Sequence, residues 1–351
     1  MAQLVKDKWS TFEDTESSSE LKVTIRTLRK TNLLGELENY KEEEIWQEIE
    51  RQKQGQEEKT APKSDIKKPE WELFTNKPRF KNDYLEFEII EPPKDYQDYI
   101  EKIVLVEKLR VVRALIGFTR IEPPYDDLEE KERGEWSPIS NKKPEWVPAS
   151  DTKGEGIFIQ FREDALKEWE DRILPSQYYE DIKLAHNQWR QERGLEVEIG
   201  FPGLRYMLLH SFSHALMRQF SIECGYSAAS LAERIYSSSR DLKNYEGDCM
   251  GGVLIYTAAP DSEGTLGGLV SLGQGLTDQI NKALEQMRLC SSDPLCSEHS
   301  PREGMVSLHV AACHACLFSP ETSCEKGNRY LDRSLLMPNL KHLDLAFFGK
   351  N

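Results

Sequence analysis

Five of the seven cysteines in this chain lie between residues 290 and 324, and three of those fall within twelve residues. Cys313 and Cys316 are separated by two residues, so that both sulfur atoms can face one ion across a tight turn. Two further thiolates from flanking segments would complete the tetrahedral ligand set that structural zinc prefers. The spacing therefore predicts a zinc site near the C-terminus.

The spacing leaves open which four of the five cysteines bind the metal. The predicted ligands, with Cys290 as the alternative member, are Cys296, Cys313, Cys316 and Cys324. A histidine could replace one thiolate, and the candidates, ranked below the cysteines, are His299, His309 and His314. Cys224 and Cys249 stand apart from this group, and we interpret them as ordinary thiols.

Two other chemistries compete with zinc for the cysteines. A redox dithiol opens a helix after a strand in thioredoxin-like units, but here the pair is followed by "LFSPETSC", with a proline and another cysteine. An iron–sulfur cluster is also compatible with cysteine ligands. Structural zinc is the favoured interpretation, with these two as alternatives.

His210 and His214 are four residues apart on a predicted helix, which is the spacing of a zincin pair. That motif also needs a glutamate directly after the first histidine, and Ser211 stands there. We therefore interpret both histidines as side chains that pack or hydrogen-bond within the fold.

The sequence contains no motif for catalysis. Residues 249–275 are rich in glycine, but neither the dinucleotide fingerprint nor a Gly-Lys-Ser/Thr step occurs in the chain. The glycines are better explained by tight turns and by close approach of helices to strands. A serine hydrolase elbow and a nuclease carboxylate set are also missing, so we predict a protein without enzymatic activity of its own.

Composition and charge limit the class of protein. The 351 residues carry a formal charge of -15, which argues against a general nucleic-acid coat protein but allows a local basic strip. The N-terminus has no apolar signal core, and no stretch approaches the length of a spanning helix. We predict a soluble cytoplasmic protein without membrane contact. Thiols stay reduced in that compartment, which disfavours disulfides among the cysteines.

Hydrophobic periodicity predicts the elements that position the cysteines. Predicted strands are "YLEFEII", "EGIFIQF" and "GGVLIYTAA"; predicted helices are residues 178–195, "GLRYMLLHSFSHALMRQF", "SAASLAERIYSSSR", "LTDQINKALEQMRLC" and the short "GNRYLDRSLL". The apolar residues of "DYIEKIVLVEKLRVVRALIGF" lie near helical spacing, with Arg110 and Arg113 on the other side. The chain is thus expected to have a mixed α/β (α+β) fold.

Three regions are predicted along the chain. Residues 1–83 form a charged helical extension and linker, residues 84–200 a middle α/β region, and residues 201–351 a zinc-binding domain with several helices around a small sheet. The extension contains a run of charge at residues 37–60, which is typical of a solvated helix.

The ordered motifs "LLHSFSHALMRQF", "MGGVLIYTAAPDSEGTLGGLVSLG", "CSSDPLC", "AACHACLFSPETSCE" and "GNRYLDRSLL" resemble a known family. They are similar to the zinc-binding domain of MrfA-type DNA-repair helicases and, more closely, to DrmB proteins of the DISARM anti-phage system. The likeness covers roughly residues 100–340. It implies a four-cysteine zinc site and partnership with a superfamily-2 helicase (DrmA in DISARM) that hydrolyses ATP while the pair engages DNA.

Two functions follow from these expectations. In the first, the chain is a non-catalytic zinc-binding subunit of a DISARM-like complex that helps a helicase engage DNA, with contacts from the segment of Arg110, Arg113 and Arg120. In the second, it is a zinc-stabilised protein-interaction scaffold that never touches DNA. Because the whole chain is acidic, tight DNA binding is expected only in the complex.

Overall fold

The computed structural model describes scattered positions from 9 to 49 and the segments 66–115, 117–118, 137–140, 146–197, 200–238, 249–257, 268–301 and 307–349. The chain divides into two compact units, Met1–Ile66 and Lys67–Asn351. The boundary predicted at residue 200 falls inside the second unit. No helix among the described residues is long and apolar enough to cross a membrane.

The first unit contains the helices α1 (Trp9–Phe12) and α2 (Ser18–Lys30). The Ser17 side chain accepts a hydrogen bond from the Glu20 amide and so begins α2 with an ordinary N-terminal cap. Buried apolar residues form a small core, and they are Phe12, Leu21, Ile25, Leu37, Ile45 and Ile49. The predicted linker begins after residue 60, and its residues 61–65 are not among those that the structure describes.

The second unit is built on an antiparallel sheet of six strands in the order β1-β2-β3-β6-β8-β7. The strands, including the separate pair β4 and β5, are β1 (Arg79–Lys81), β2 (Leu85–Ile90), β3 (Ile100–Ala114), β4 (Gly117–Phe118), β5 (Ser137–Pro138), β6 (Ala149–Phe161), β7 (Leu231–Ser237) and β8 (Gly251–Thr257). Because β6 pairs with β8, strands from both sides of residue 200 share this sheet. The predicted mixed α/β fold is confirmed.

Helices cover both faces of the sheet. They are α3 (Lys67–Asn76), α4 (Glu163–Ile173), α5 (Gln177–Glu192), α6 (Leu204–Cys224), α7 (Gly268–Gln274), α8 (Leu276–Arg288) and α9 (Leu295–Glu298). Phe74 of α3 packs with Val104 and Phe158 on one face. The larger core on the other face contains Ile103 and Ile157, together with α4 to α8.

The prediction of a helix at residues 100–114 is wrong, because this segment is the central strand β3. Residues 103–106 are all buried, since the two faces of the sheet are both covered and both sides of the strand therefore need apolar residues. That requirement produces a continuous apolar run, which periodicity alone does not distinguish from a buried helix.

Two further helix predictions need correction. "SAASLAERIYSSSR" forms a single 3-10 turn at Ala228–Ser230 and then the edge strand β7, which pairs with β8. "GNRYLDRSLL" contains only a 3-10 turn at Arg333–Leu335. The tertiary pairing of β7 outweighs the helix propensity of its sequence. The predicted long helices at α5, α6 and α8 and the strands β2, β6 and β8 are confirmed.

Candidate metal centre

Four cysteine sulfur atoms meet at the end of α8. Cys290 follows that helix, Cys296 lies on the short helix α9, and Cys313 and Cys316 belong to the turn after residue 310. Their sulfur atoms all lie within 4.8 Å of one another. Three of the four residues are buried, and Cys313 is half-buried.

The sulfur separations fit a tetrahedral metal site. The distance is 3.5 Å between Cys290 and Cys313, 3.7 Å between Cys313 and Cys316, and 3.8 Å between Cys296 and Cys316. Four thiolates at the usual zinc–sulfur bond length of about 2.3 Å would stand about 3.8 Å apart. A disulfide, by contrast, would bring two sulfur atoms to about 2 Å. None of these four cysteines forms a disulfide.

Backbone hydrogen bonds shape the turn that carries Cys313 and Cys316. The Cys313 carbonyl accepts hydrogen bonds from the amides of Cys316, Leu317 and Phe318. The Cys316 sulfur accepts from the Cys313 amide at 3.3 Å, and the Cys290 sulfur accepts from the Ser292 amide at 3.4 Å. Backbone amides that donate to the Cys290 and Cys316 sulfurs favour the thiolate forms of these two residues.

The electrostatics favour ionisation of part of this cluster. The hydrogen bond with Cys316 outweighs burial and, together with Arg333, lowers the pKa of the Cys296 thiol to about 6. The same hydrogen bond raises the pKa of Cys316. Arg333 is fully buried and donates to Asp293 at 2.5 Å. The Asp293 carboxylate in turn accepts from the Cys290 amide at 2.8 Å, so the cation is held in place beside the thiols.

The structure differs from the predicted ligand set at one position. It brings Cys290, the predicted alternative, to Cys296, Cys313 and Cys316, and it places Cys324 elsewhere. Sequence spacing favoured Cys324, which is nearer to the Cys313–Cys316 pair along the chain, and ranked Cys290 last of the five, but the fold brings Cys290 to the pair. Which thiols bind zinc stays a prediction, and the geometry favours Cys290 over Cys324.

The histidines considered as substitute ligands take other positions. His299 stacks on His309 with ring centres 4.3 Å apart, and His309 contacts Phe318. Burial and the neighbouring His299 lower the pKa of His309 to about 4. His314 packs edge-on against Phe318. None of the three belongs to a group of metal-ligand donors within the described segments.

Cys324 lies beside His210, His214 and Glu233 instead. The two histidines hydrogen-bond within the fold, since His214 Nδ1 is 2.8 Å from the Leu317 carbonyl and His210 Nε2 is 3.0 Å from a Glu233 oxygen. No sequence motif indicates Glu233, which comes from strand β7.

The arginines proposed for DNA contact do not form one strip. Arg110 and Arg113 both lie on β3, where their odd separation places them on opposite faces of the strand. Arg110 makes a two-pronged ion pair with Asp151 and lies 4.9 Å from the Tyr84 ring. Arg120 lies outside the described residues.

Comparison with known proteins adds a family match in this region. Residues 212–317 match the family described as the MrfA Zn-binding domain. All four clustered cysteines fall within that range, whereas Cys324 and His210 fall outside it. The match and the four-cysteine cluster together confirm the predicted zinc-binding domain and its zinc cofactor.

Comparison also finds a curated relative over most of the chain. The DISARM protein DrmB of Bacillus paralicheniformis is 37% identical over 290 residues, which are 81% of this chain and 49% of that protein. The chain therefore spans about half the length of the curated relative that it matches. A crystal structure of the DUF1998 helicase MrfA bound to DNA covers 64% of this chain and 23% of its own, at 13% identity. Its TM-score of 0.26 is too low for any conclusion about this chain.

Proposed function

Because this chain is a relative of the DISARM protein DrmB and contains a match to the MrfA Zn-binding domain, we propose that it is a zinc-binding subunit of a DISARM-like defence complex. In this proposal it partners a superfamily-2 helicase of the DrmA type in the cytoplasm and helps that helicase to engage DNA. The observation that carries the proposal is the 37% identity to DrmB across 81% of the chain.

The zinc has a structural role in this proposal. Its ligands are Cys290, Cys296, Cys313 and Cys316, which would fill all four positions of a tetrahedral ion and leave none for a substrate. The ion would tie the end of α8 to α9 and to the turn at Cys313. Zinc therefore supplies folding free energy here and no reaction step.

ATP hydrolysis belongs to the partner in this proposal. The sequence contains no phosphate-binding loop, which supports assigning nucleotide binding to the partner. A helicase subunit would supply that site and most of the positive charge that phosphate contacts require.

The contribution of this chain to DNA binding is proposed to come from one face of β3. Arg110 stands directly opposite Lys153 of β6, and both residues are exposed. Directly opposite residues in a sheet present their side chains on the same face. This pair offers two cations to a phosphate backbone, next to the Asp151 carboxylate that partly neutralises them.

Co-purification tests the proposed partnership. The full chain is co-expressed with the helicase encoded beside its gene, and one partner carries an affinity tag. We expect a stable complex that hydrolyses ATP, while the chain alone shows no turnover. Failure of the two proteins to associate under any salt condition, or ATP turnover by the isolated chain that a point change within it abolishes, would contradict the proposal.

The protein-interaction scaffold is the second candidate. It is favoured by the net charge of -15 and by the engagement of Arg110 with Asp151, which both oppose direct DNA contact. The two functions differ in one measurable property. A scaffold assembles with the helicase but leaves the affinity of the helicase for DNA unchanged.

A further inference from the structure

A second group of metal-ligand donors lies apart from the four-cysteine cluster. Its members are His210, His214, Glu233 and Cys324, whose donor atoms all lie within 4.8 Å of one another. The two histidines and the glutamate are almost fully buried, and Cys324 is half-buried. We propose that these four side chains form a second metal site that takes zinc or a similar borderline-soft divalent cation.

The donor separations suit a single small ion. His210 Nε2 lies 3.1 Å from the Cys324 sulfur and 3.0 Å from a Glu233 oxygen, and His214 Nε2 lies 3.4 Å from that same oxygen. Tetrahedral zinc with ordinary bonds to nitrogen, oxygen and sulfur would hold such atoms about 3.3–3.6 Å apart. The observed distances are within a few tenths of an ångström of this arrangement.

The four ligands come from three elements that the fold brings together. His210 and His214 are one turn apart on the central helix α6, so they share one face of it. Glu233 lies on β7, and Cys324 follows a 3-10 turn at Glu321–Ser323. A pair of histidines at this spacing with two outside donors is a common way to complete a four-coordinate site.

Contacts around the group orient the donors toward its centre. His214 Nδ1 is 2.8 Å from the Leu317 carbonyl, which fixes that nitrogen as the N–H and leaves Nε2 free to face the centre as a lone pair. Glu233 accepts hydrogen bonds from the Ser213 hydroxyl and from the Glu325 amide. The Cys324 sulfur accepts from the Asn328 amide at 3.1 Å, as a sulfur does in metal-binding turns.

Charge balance also favours a divalent cation. With both histidines neutral, the Glu233 carboxylate and the Cys324 thiolate carry two negative charges in a buried space. Burial of unpaired charge is costly, and a dication would neutralise both. A thiolate together with imidazole ligands selects zinc and similar ions over magnesium or calcium. Since four protein donors complete the coordination, the site is structural and holds Cys324 to α6 and β7.

Without an ion, the four groups compensate one another's charge. Burial opposes ionisation of Cys324, but the neighbouring His210 outweighs it and lowers the pKa of the thiol to about 7. Burial likewise disfavours the Glu233 carboxylate, yet the two histidines hold its pKa well below the usual range. These shifts require cationic histidines: despite burial, Glu233 raises the pKa of His210 to about 9, so without an ion the group is an ion-pair network, and a bound dication would take the place of the two imidazole protons.

Metal analysis of the purified full chain tests the second site. We expect about two zinc ions per chain, one for each four-donor group. Cys324→Ser should lower the content by about one ion, whereas the matched control Cys224→Ser, at a cysteine outside both groups, should leave it unchanged. About one ion in the well-folded wild-type chain, or an unchanged content in Cys324→Ser, would overturn the proposal and leave a metal-free ion-pair network.

Cadmium-113 NMR of the wild-type chain keeps the test decisive if Cys324→Ser does not fold. Cadmium replaces zinc in such sites, and its chemical shift rises steeply with the number of sulfur ligands. We expect two resonances, one typical of four sulfur ligands and one typical of a single sulfur with nitrogen and oxygen. A four-sulfur resonance alone would refute the second site while leaving the four-cysteine site and the proposed function intact.

Discussion

Cys316 is the most buried of the four clustered cysteines and has sulfur neighbours on two sides. It lies 3.7 Å from the Cys313 sulfur and 3.8 Å from the Cys296 sulfur, and only 3% of its surface is exposed. A serine oxygen at this position would bind zinc weakly and could not restore the four-thiolate set. Loss of the Cys316 sulfur atom alone is therefore enough to disrupt the four-cysteine site.

Cys316→Ser should lose the ion of the four-cysteine site and much of the soluble protein, since zinc binding is coupled to folding at structural sites. Zinc content, measured against Cys224→Ser as the control, should fall by about one ion per chain. If too little Cys316→Ser is soluble, a chelator added to the wild-type chain should lower its melting temperature, and zinc should restore it. A soluble, fully folded variant with unchanged zinc would contradict this role.

Arg205 is a fully buried cation on the central helix α6. Its guanidinium makes two 2.8 Å hydrogen bonds to Glu170 and bonds of 2.7 and 2.9 Å to Glu163. It therefore ties α6 to α4 and is not available to DNA. Its position within an apolar helix, rather than on a polar face, was the signal that could have indicated burial.

Arg205→Met should destabilise the chain by about 3–5 kcal/mol, because it leaves the buried Glu170 carboxylate without its cation. The matched control is Glu163→Gln, whose side chain is 44% exposed and should cost only about 1 kcal/mol. Denaturant unfolding of the three proteins measures both changes. Equal stability of Arg205→Met and the wild type would show that the ion pair adds nothing.

Helix α7 approaches the sheet closely at a glycine. A Cβ atom added at Gly273 would overlap the Leu105 side chain of β3 and come 3.4 Å from Ile157 of β6. This confirms the interpretation that glycines in this stretch allow a helix to lie against strands. The contact places α7 on the same face of the sheet as α6.

Gly273→Ala should cost about 1–3 kcal/mol through overpacking against Leu105. Gly275→Ala is the control, because the nearest atom to its added Cβ is 3.9 Å away. Thermal unfolding should show a lower melting temperature for Gly273→Ala alone. Similar melting temperatures for the two variants would show that Leu105 yields without cost.

Local sequence pattern identified most of the elements and misassigned β3 and β7 as helices. The amphipathic α8 and the alternating strand β2 were identified because polar residues mark their outer faces. The apolar run of β3 serves two cores and therefore resembles a helix. Glu233 could not be assigned to a site, since β7 brings it to Cys324 across 91 residues of sequence and nothing local records that contact.

At the scale of the whole molecule, the chain is acidic, although it is proposed to help a helicase engage DNA. The charge of -15 predicts weak, salt-sensitive binding by the isolated chain, because phosphate contacts require clustered cations. Only a local patch such as Arg110 with Lys153 can add to the binding surface of a helicase. DNA affinity is therefore expected to be higher for the complex than for the helicase alone, and lowest for this chain alone.

The most direct test of that account is a titration of duplex DNA against the helicase, against its complex with this chain, and against complexes that contain Arg110→Glu or Arg113→Glu. We predict tighter binding by the complex than by the helicase alone. Arg110→Glu should weaken it and reduce the salt dependence by about one phosphate contact, whereas Arg113→Glu, on the other face of β3, should change it less. Both variants should keep their zinc and their assembly with the helicase. Equal affinities for the helicase and the complex, with no effect of either reversal, would contradict the account and leave the scaffold.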